Sequence, residues 1–183
     1  MDGLANDPGD AQPIAENVRE QILAPVIEAV ATALREVAMT EVEVRATYRL
    51  PKRRLQCKLV AALELSSSAL TCLTLGFSDA GAASLARRVL GEAVPNLDAG
   101  LIGDCIGELI NVAGGQAKAL LHGTPWHFTF GTPRLGAGPE LPFSGSQECL
   151  EALLATDVGE VVLQLFLRDS DQGTSQPIAC GHI

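Results

Sequence analysis

Two long stretches of the chain repeat their apolar residues at the spacing of a helix, and strand-like segments follow each of them. That pattern mixes long helices with strands in one chain. In the first stretch Ile14, Val18, Ile22, Val26, Val30, Leu34 and Val37 recur at three- and four-residue steps. Pro25 should start or bend this helix, because it has no N–H and its ring crowds the preceding turn. Segments 42–50, 57–65 and 69–77 have strand character, the first two joined by the polar turn Pro51, Lys52, Arg53, Arg54. Ser78 can cap a short helix reaching about Leu90, with Asp79 in its first turn and Gly91 at its end. A second long helix is expected from about Leu97 to Leu121, stopped by Gly123 and Pro125. Beyond it, Trp126–Phe130 reads as a strand, 131–145 as a Gly/Pro-rich loop and Val158–Leu167 as a final strand. For Glu148–Ala155 local propensity alone favours helix. The order of elements, a helix and three strands twice over with a short helix between, hints at an internal duplication.

At 183 residues the chain suits one domain, expected over 13–167 between a flexible start at 1–12 and a flexible tail at 168–183. Hydrophobic residues make up 47% and aromatics 4%, so Leu, Val, Ile and Ala must build the core. A function that depends on aromatic stacking is thereby disfavoured. Lys and Arg number 13 against 22 Asp and Glu, and the net charge of -9 repels a nucleic-acid backbone or an anionic membrane. The expected partner is therefore a protein or a cation. Cys57, Cys72, Cys105, Cys149 and Cys180 form no CxxC pair, and His122, His127 and His182 show no ligand spacing, so no metal or cofactor is expected. The odd cysteine count, the acidic opening MDGLANDPGDAQ and the lack of an apolar run of roughly 18 residues make the expected location cytoplasmic. The basic turn at 52–54 with Lys58 reads as a solvated hairpin.

Chemistry concentrates on the second long helix. With Asp104 as origin and an advance of about 100° per residue, Glu108 falls at about 40° and Asn111 at about 340°, one stripe of two carboxylates and an amide. Ile102, Ile106, Leu109, Ala113, Ala117 and Leu120 gather on the opposite, core-facing side. Gly107 and Gly115 flank the stripe, and each costs a helix about 1 kcal/mol relative to alanine, which suits close approach by another surface. Taken alone, such a stripe is most often a solvated face. Cys105 beside it reads as a small apolar filler, and Lys118 as a solvated neighbour able to assist docking.

Asp104-x3-Glu108-x2-Asn111 resembles the helix motif of the CheC/CheX/FliY family of chemotaxis phosphatases, and Pro133 stands close to where that family places a downstream proline. GELINVAGGQAK followed by FGTPRLGAG is similar to the family's motif helix, next strand and Pro-containing loop, and FSDAGAASLARRVLG to the short helix before them. The likeness covers about Phe77 to Gly138. The first helix carries no second copy, since Glu16, Glu20, Glu28 and Glu36 are followed three positions later by Arg19, Leu23, Ala31 and Met39. This resembles the CheX-like branch. The resemblance implies a two-layer α+β fold, two long helices across an antiparallel sheet of about six strands, internally pseudo-duplicated, with 148–155 as a strand. It further implies a homodimer and hydrolysis of the phosphoaspartate of a CheY-like receiver domain, which brings its own magnesium. Asn111 would orient the water, Glu108 would anchor the receiver's active-site lysine, Asp104 would add a supporting hydrogen bond and Pro133 would shape the adjacent loop. The alternatives are a non-catalytic receiver-binding adaptor or flagellar-switch-type module, which needs Glu108 but not Asn111, and a thiol-dependent protein of another class.

Overall fold

The structure is a computed structural model that describes residues 11–50, 57–91, 94, 96–138 and 148–168. Helix α1 runs unbroken through an α turn at Glu16–Val18, a π turn at Arg19–Leu23 and an α stretch at Ala24–Ala38. Pro25 does not start it. The π turn, in which the Ala24 N–H donates to the Arg19 carbonyl, widens the helix just where the ring of Pro25 would otherwise crowd the carbonyl of Gln21. Helix α2 covers Asp79–Leu90, and the Ser78 hydroxyl accepts from the Gly81 N–H at 3.0 Å. Helix α3 covers Ala99–Leu120, with Asp98 as its N-cap accepting from the Leu101 N–H at 2.9 Å.

Seven strands form one antiparallel sheet: β1 (Val42–Leu50), β2 (Leu59–Ser66), β3 (Leu70–Phe77), β4 (Thr129–Phe130), β5 (Arg134–Gly136), β6 (Cys149–Thr156) and β7 (Gly159–Leu167). Their order is β1-β6-β7-β3-β2, with β4 and β5 sharing the outer edge of β2. Exchanging β1, β2 and β3 for β5, β6 and β7 turns the order β1-β6-β7-β3-β2-β5 into its own reverse. That pseudo-twofold relation, with α1 answering α3, is the duplication hinted at by the order of elements.

Helices α1 and α3 lie on one face of the sheet. Val26, Val30 and Leu34 of α1 and Ile106, Leu109 and Ala113 of α3 pack over Leu63, Leu75, Leu154 and Leu163. Burying each leucine side chain is worth about 1.5–3 kcal/mol. The other face is also buried, around Val60, Cys72, Cys149 and Phe166. In its middle Gln164 donates to Glu151 at 2.6 Å across the β6–β7 register, which lessens the cost of burying these two polar side chains.

Three expectations need correction. Of Trp126–Phe130 only Thr129 and Phe130 pair as a strand. The segment expected as Gly/Pro-rich loop contains β5, which pairs Arg134, Leu135 and Gly136 with β2. Propensity's helix at Glu148–Ala155 is instead strand β6, as the resemblance implied, because the registers with β1 and β7 satisfy its backbone on both edges.

The basic turn 51–54, residues 1–10, 139–147 and 169–183 lie outside the described residues. Gln12, placed in the flexible start, exchanges backbone hydrogen bonds with Arg49, and Arg168 at the other end donates its N–H to Ala69. Lys58 pairs with Asp79 at 3.4 Å. Among the described residues no helix is long and apolar enough to cross a membrane.

Helix α1 ends at Met39, which adopts left-handed backbone geometry at φ 48° with its side chain 77% exposed. Glycine takes that conformation without the Cβ clash, whereas methionine pays for it with little burial in return. Met39→Gly should therefore raise stability by about 0.5–1 kcal/mol in urea unfolding.

Candidate functional site

Asp104, Glu108 and Asn111 lie exposed along one face of α3, and the helix buries its opposite face through Ile106, Leu109, Ala113 and Ala117. Ile102 is only partly buried. Leu120, expected in the core, is 46% exposed, and Leu121 takes the buried place as the helix ends. Gly123 follows at φ +76°, the left-handed step that turns the chain away.

Among the described residues no hydrogen-bond or salt-bridge partner engages Asp104, Glu108, Asn111 or Lys118. Several acids elsewhere on the surface are paired, Asp79 with Lys58, Asp157 with Arg88 at 2.7 Å and Glu64 with Arg134 at 3.1 Å, whereas Glu16, Glu20 and Glu28 are exposed without a partner among the described residues. On α3 itself Gln116, off the stripe, donates to Glu36 of α1 at 2.8 Å and ties the two long helices together. The stripe is thus held on a fixed rod with its own polar groups uncommitted.

One flank of the stripe is built by the segment after α3, where the sequence reading placed Pro133 but missed Leu135. Pro133 immediately precedes β5, and Leu135 of β5 lies over the first half of the helix. A Cβ added at Gly103 would stand 3.3 Å from the Leu135 methyl group, and one at Gly107 3.8 Å. The spacing Gly103-x3-Gly107, two glycines one turn apart, is the sequence signal that could have disclosed this approach. Gly107 therefore has an intramolecular neighbour rather than an open face. Leu135 remains 41% exposed, an apolar shoulder beside the carboxylates.

Further along, two adjacent glycines differ. A Cβ at Gly114 would meet the Leu63 methyl at 2.4 Å and Phe130 at 3.3 Å, whereas one at Gly115 would have nothing within 4 Å. Gly114→Ala should cost about 1–2 kcal/mol, because the overpacking of a fully buried leucine outweighs the gain in helix propensity. Gly115→Ala should instead gain up to about 1 kcal/mol. Thermal or urea unfolding of the two variants side by side checks the contrast.

Cys105 is buried 6% exposed beside Asp104, and burial first, then the Asp104 charge, push its thiol up from the ordinary cysteine range. A protonated, inward thiol is a poor nucleophile, which removes support from a thiol-dependent reading. His122 and His127 meet edge to face with ring centroids 5.5 Å apart. Among the described residues no group of three or more His, Cys, Asp or Glu could hold a metal ion.

No family model and no curated protein matches this sequence. Solved structures do. The fold is that of the CheX/CheC-like chemotaxis proteins. The chemotaxis protein CheX of Desulfovibrio desulfuricans is similar at TM-score 0.70 and 19% identity, over 79% of this chain and 97% of that one. A putative chemotaxis protein of Desulfovibrio vulgaris Hildenborough matches at TM-score 0.69 and 19% identity, over 80% and 96%. The structure of a CheX-CheY-BeF3-Mg2+ complex from Borrelia burgdorferi matches at TM-score 0.64 and 16% identity, over 80% and 97%. At such identities the likeness is one of fold.

Proposed function

We propose that this protein is a phosphatase that hydrolyses the phosphoaspartate of a CheY-like receiver domain. The observation that carries the reading is the exposed stripe Asp104, Glu108, Asn111, whose polar groups have no partners among the described residues, on the long helix of a CheX-like fold. The Borrelia CheX complexed with CheY lends support, since beryllofluoride stands there for a phosphoryl group.

Phosphoryl transfer asks little covalent chemistry of a protein. It asks for a water held in line with phosphorus and for charge to be managed around it. The Asn111 carboxamide can accept one hydrogen bond from such a water and donate another to its surroundings, without adding negative charge beside the phosphoryl group. Glu108, one turn earlier, faces the same way and suits the receiver's lysine. Asp104, a further turn back, adds a hydrogen-bond acceptor in line with both. Pro133 stands just before the short strand whose Leu135 borders the stripe, and so shapes its apolar edge. Magnesium comes with the receiver in this scheme. The protein would act in the cytoplasm as a homodimer with one stripe per chain.

The test is incubation of the protein with phosphorylated CheY-like receivers in magnesium, following release of phosphate. Acceleration over the receiver's own decay is expected. Unchanged decay for every receiver tried would sink the proposal.

A further inference from the structure

The stripe does not end at Asn111. It continues through Gly115 to Lys118, and the described surface there opens into a depression of about 430 Å³ lined by Gly115, Lys118, Ala119, His122 and Phe130. Four of the five glycines of α3 have a neighbour inside the protein: Gly100 the Asp98 carboxylate at 3.3 Å, Gly103 and Gly107 Leu135, and Gly114 Leu63 and Phe130. Gly115 has none, although it sits in the middle of a helix. An alanine Cβ there would meet nothing within 4 Å and would strengthen the helix.

We propose that this depression receives an apolar side chain from the rim of the receiver's phosphorylation site, while Lys118 pairs with a neighbouring receiver carboxylate. The proposal rests on the receiver-phosphatase reading and names a second grip for it. Charge decides the occupant. Along one stripe the helix presents an anion at Glu108, a neutral amide at Asn111, bare backbone at Gly115 and a cation at Lys118, with about 15 Å between the two charges. In the receiver-phosphatase reading Glu108 meets the receiver's lysine and Asn111 its phosphoryl group, so a carboxylate on the far side of the phosphoryl group falls opposite Lys118, and the two series match in one direction only. Docked the other way, Lys118 would meet the lysine and Glu108 the carboxylates, and like-charge contact of that kind is strongly disfavoured. The rest of the chain, at net charge -9, makes Lys118 a scarce attraction for acids. A second copy seated on this stripe would also bring Glu108 against Lys118, but it would cover Asn111, which the reaction needs open.

The experiment uses the full chain and a CheY-like receiver carrying Mg2+ and beryllofluoride, which stands for the phosphoryl group. Gly115→Leu should melt at or above the wild-type temperature yet weaken receiver binding about thirtyfold or more, with KM for phosphorylated receiver rising in step. Lys118→Glu should weaken binding about tenfold or more, an effect that shrinks with added salt, while Lys118→Arg stays within about twofold. Wild-type binding by Gly115→Leu, in a preparation where Asn111→Ala still loses turnover, overturns the proposal and leaves the phosphatase reading standing. Failure of the wild-type protein to bind or dephosphorylate any receiver removes both. A change in the mass of Gly115→Leu by light scattering, with receiver binding intact, assigns the depression to a second copy and overturns the proposal as well.

Discussion

Asn111→Ala is expected to lower receiver dephosphorylation about a hundredfold or more, equivalent to roughly 2.7 kcal/mol or more of transition-state stabilisation, while leaving receiver binding close to wild type. The loss follows from the role assigned to the carboxamide. Without it the attacking water keeps its chemistry but not its direction, and an in-line displacement depends on direction. Folding should be nearly untouched, because Asn111 is exposed and engages no partner among the described residues, so truncation opens no cavity and should shift stability by no more than about 0.5 kcal/mol. Phosphate release from labelled receiver, measured at saturating receiver together with a binding titration, separates the two effects. Near-normal turnover in a folded variant would reject the water-positioning mechanism and move the receiver-binding adaptor ahead.

Glu108→Ala should fail in a different place. Its expected effect is a loss of about 2–3 kcal/mol in receiver binding, roughly thirty- to 150-fold in Kd, because a receiver lysine would be partly desolvated on docking with no carboxylate to meet it. Turnover extrapolated to saturating receiver should fall less than in Asn111→Ala. Glu108 has no ion-pair partner among the described residues, so the change breaks no bridge of the free protein and leaves its thermal stability near wild type. Isothermal titration against the beryllofluoride-loaded receiver checks the loss. Equal affinity for the two proteins would show that Glu108 does not anchor the receiver.

Several features needed no structure. The two helical periodicities, the Ser78 cap and the Gly91 stop were legible because each rests on a local rule: apolar spacing, a hydroxyl that accepts an orphan N–H, a glycine at a positive φ of 69°. The stripe was legible for the same reason, since 3.6 residues per turn bring Asp104, Glu108 and Asn111 to one side whatever the helix packs against. Its roles came from resemblance, and composition offered nothing to supply them.

Tertiary structure decided the rest. Cys149–Thr156 became a strand against its propensity because β1 and β7 offered paired edges and both faces of the sheet were buried, a preference that no window of neighbouring residues contains. Leu135, inside a Gly/Pro-rich stretch, gained a place only when β5 paired with β2 and laid it across Gly103 and Gly107. The two adjacent glycines make the division plain: side by side in sequence, Gly114 faces Leu63 and Gly115 faces open space. By itself the sequence determined which residues share a side of a helix, because that is set within one turn. Which of those sides meets the core, a neighbouring strand or nothing depends on segments far apart in the chain, and only their packing could decide it.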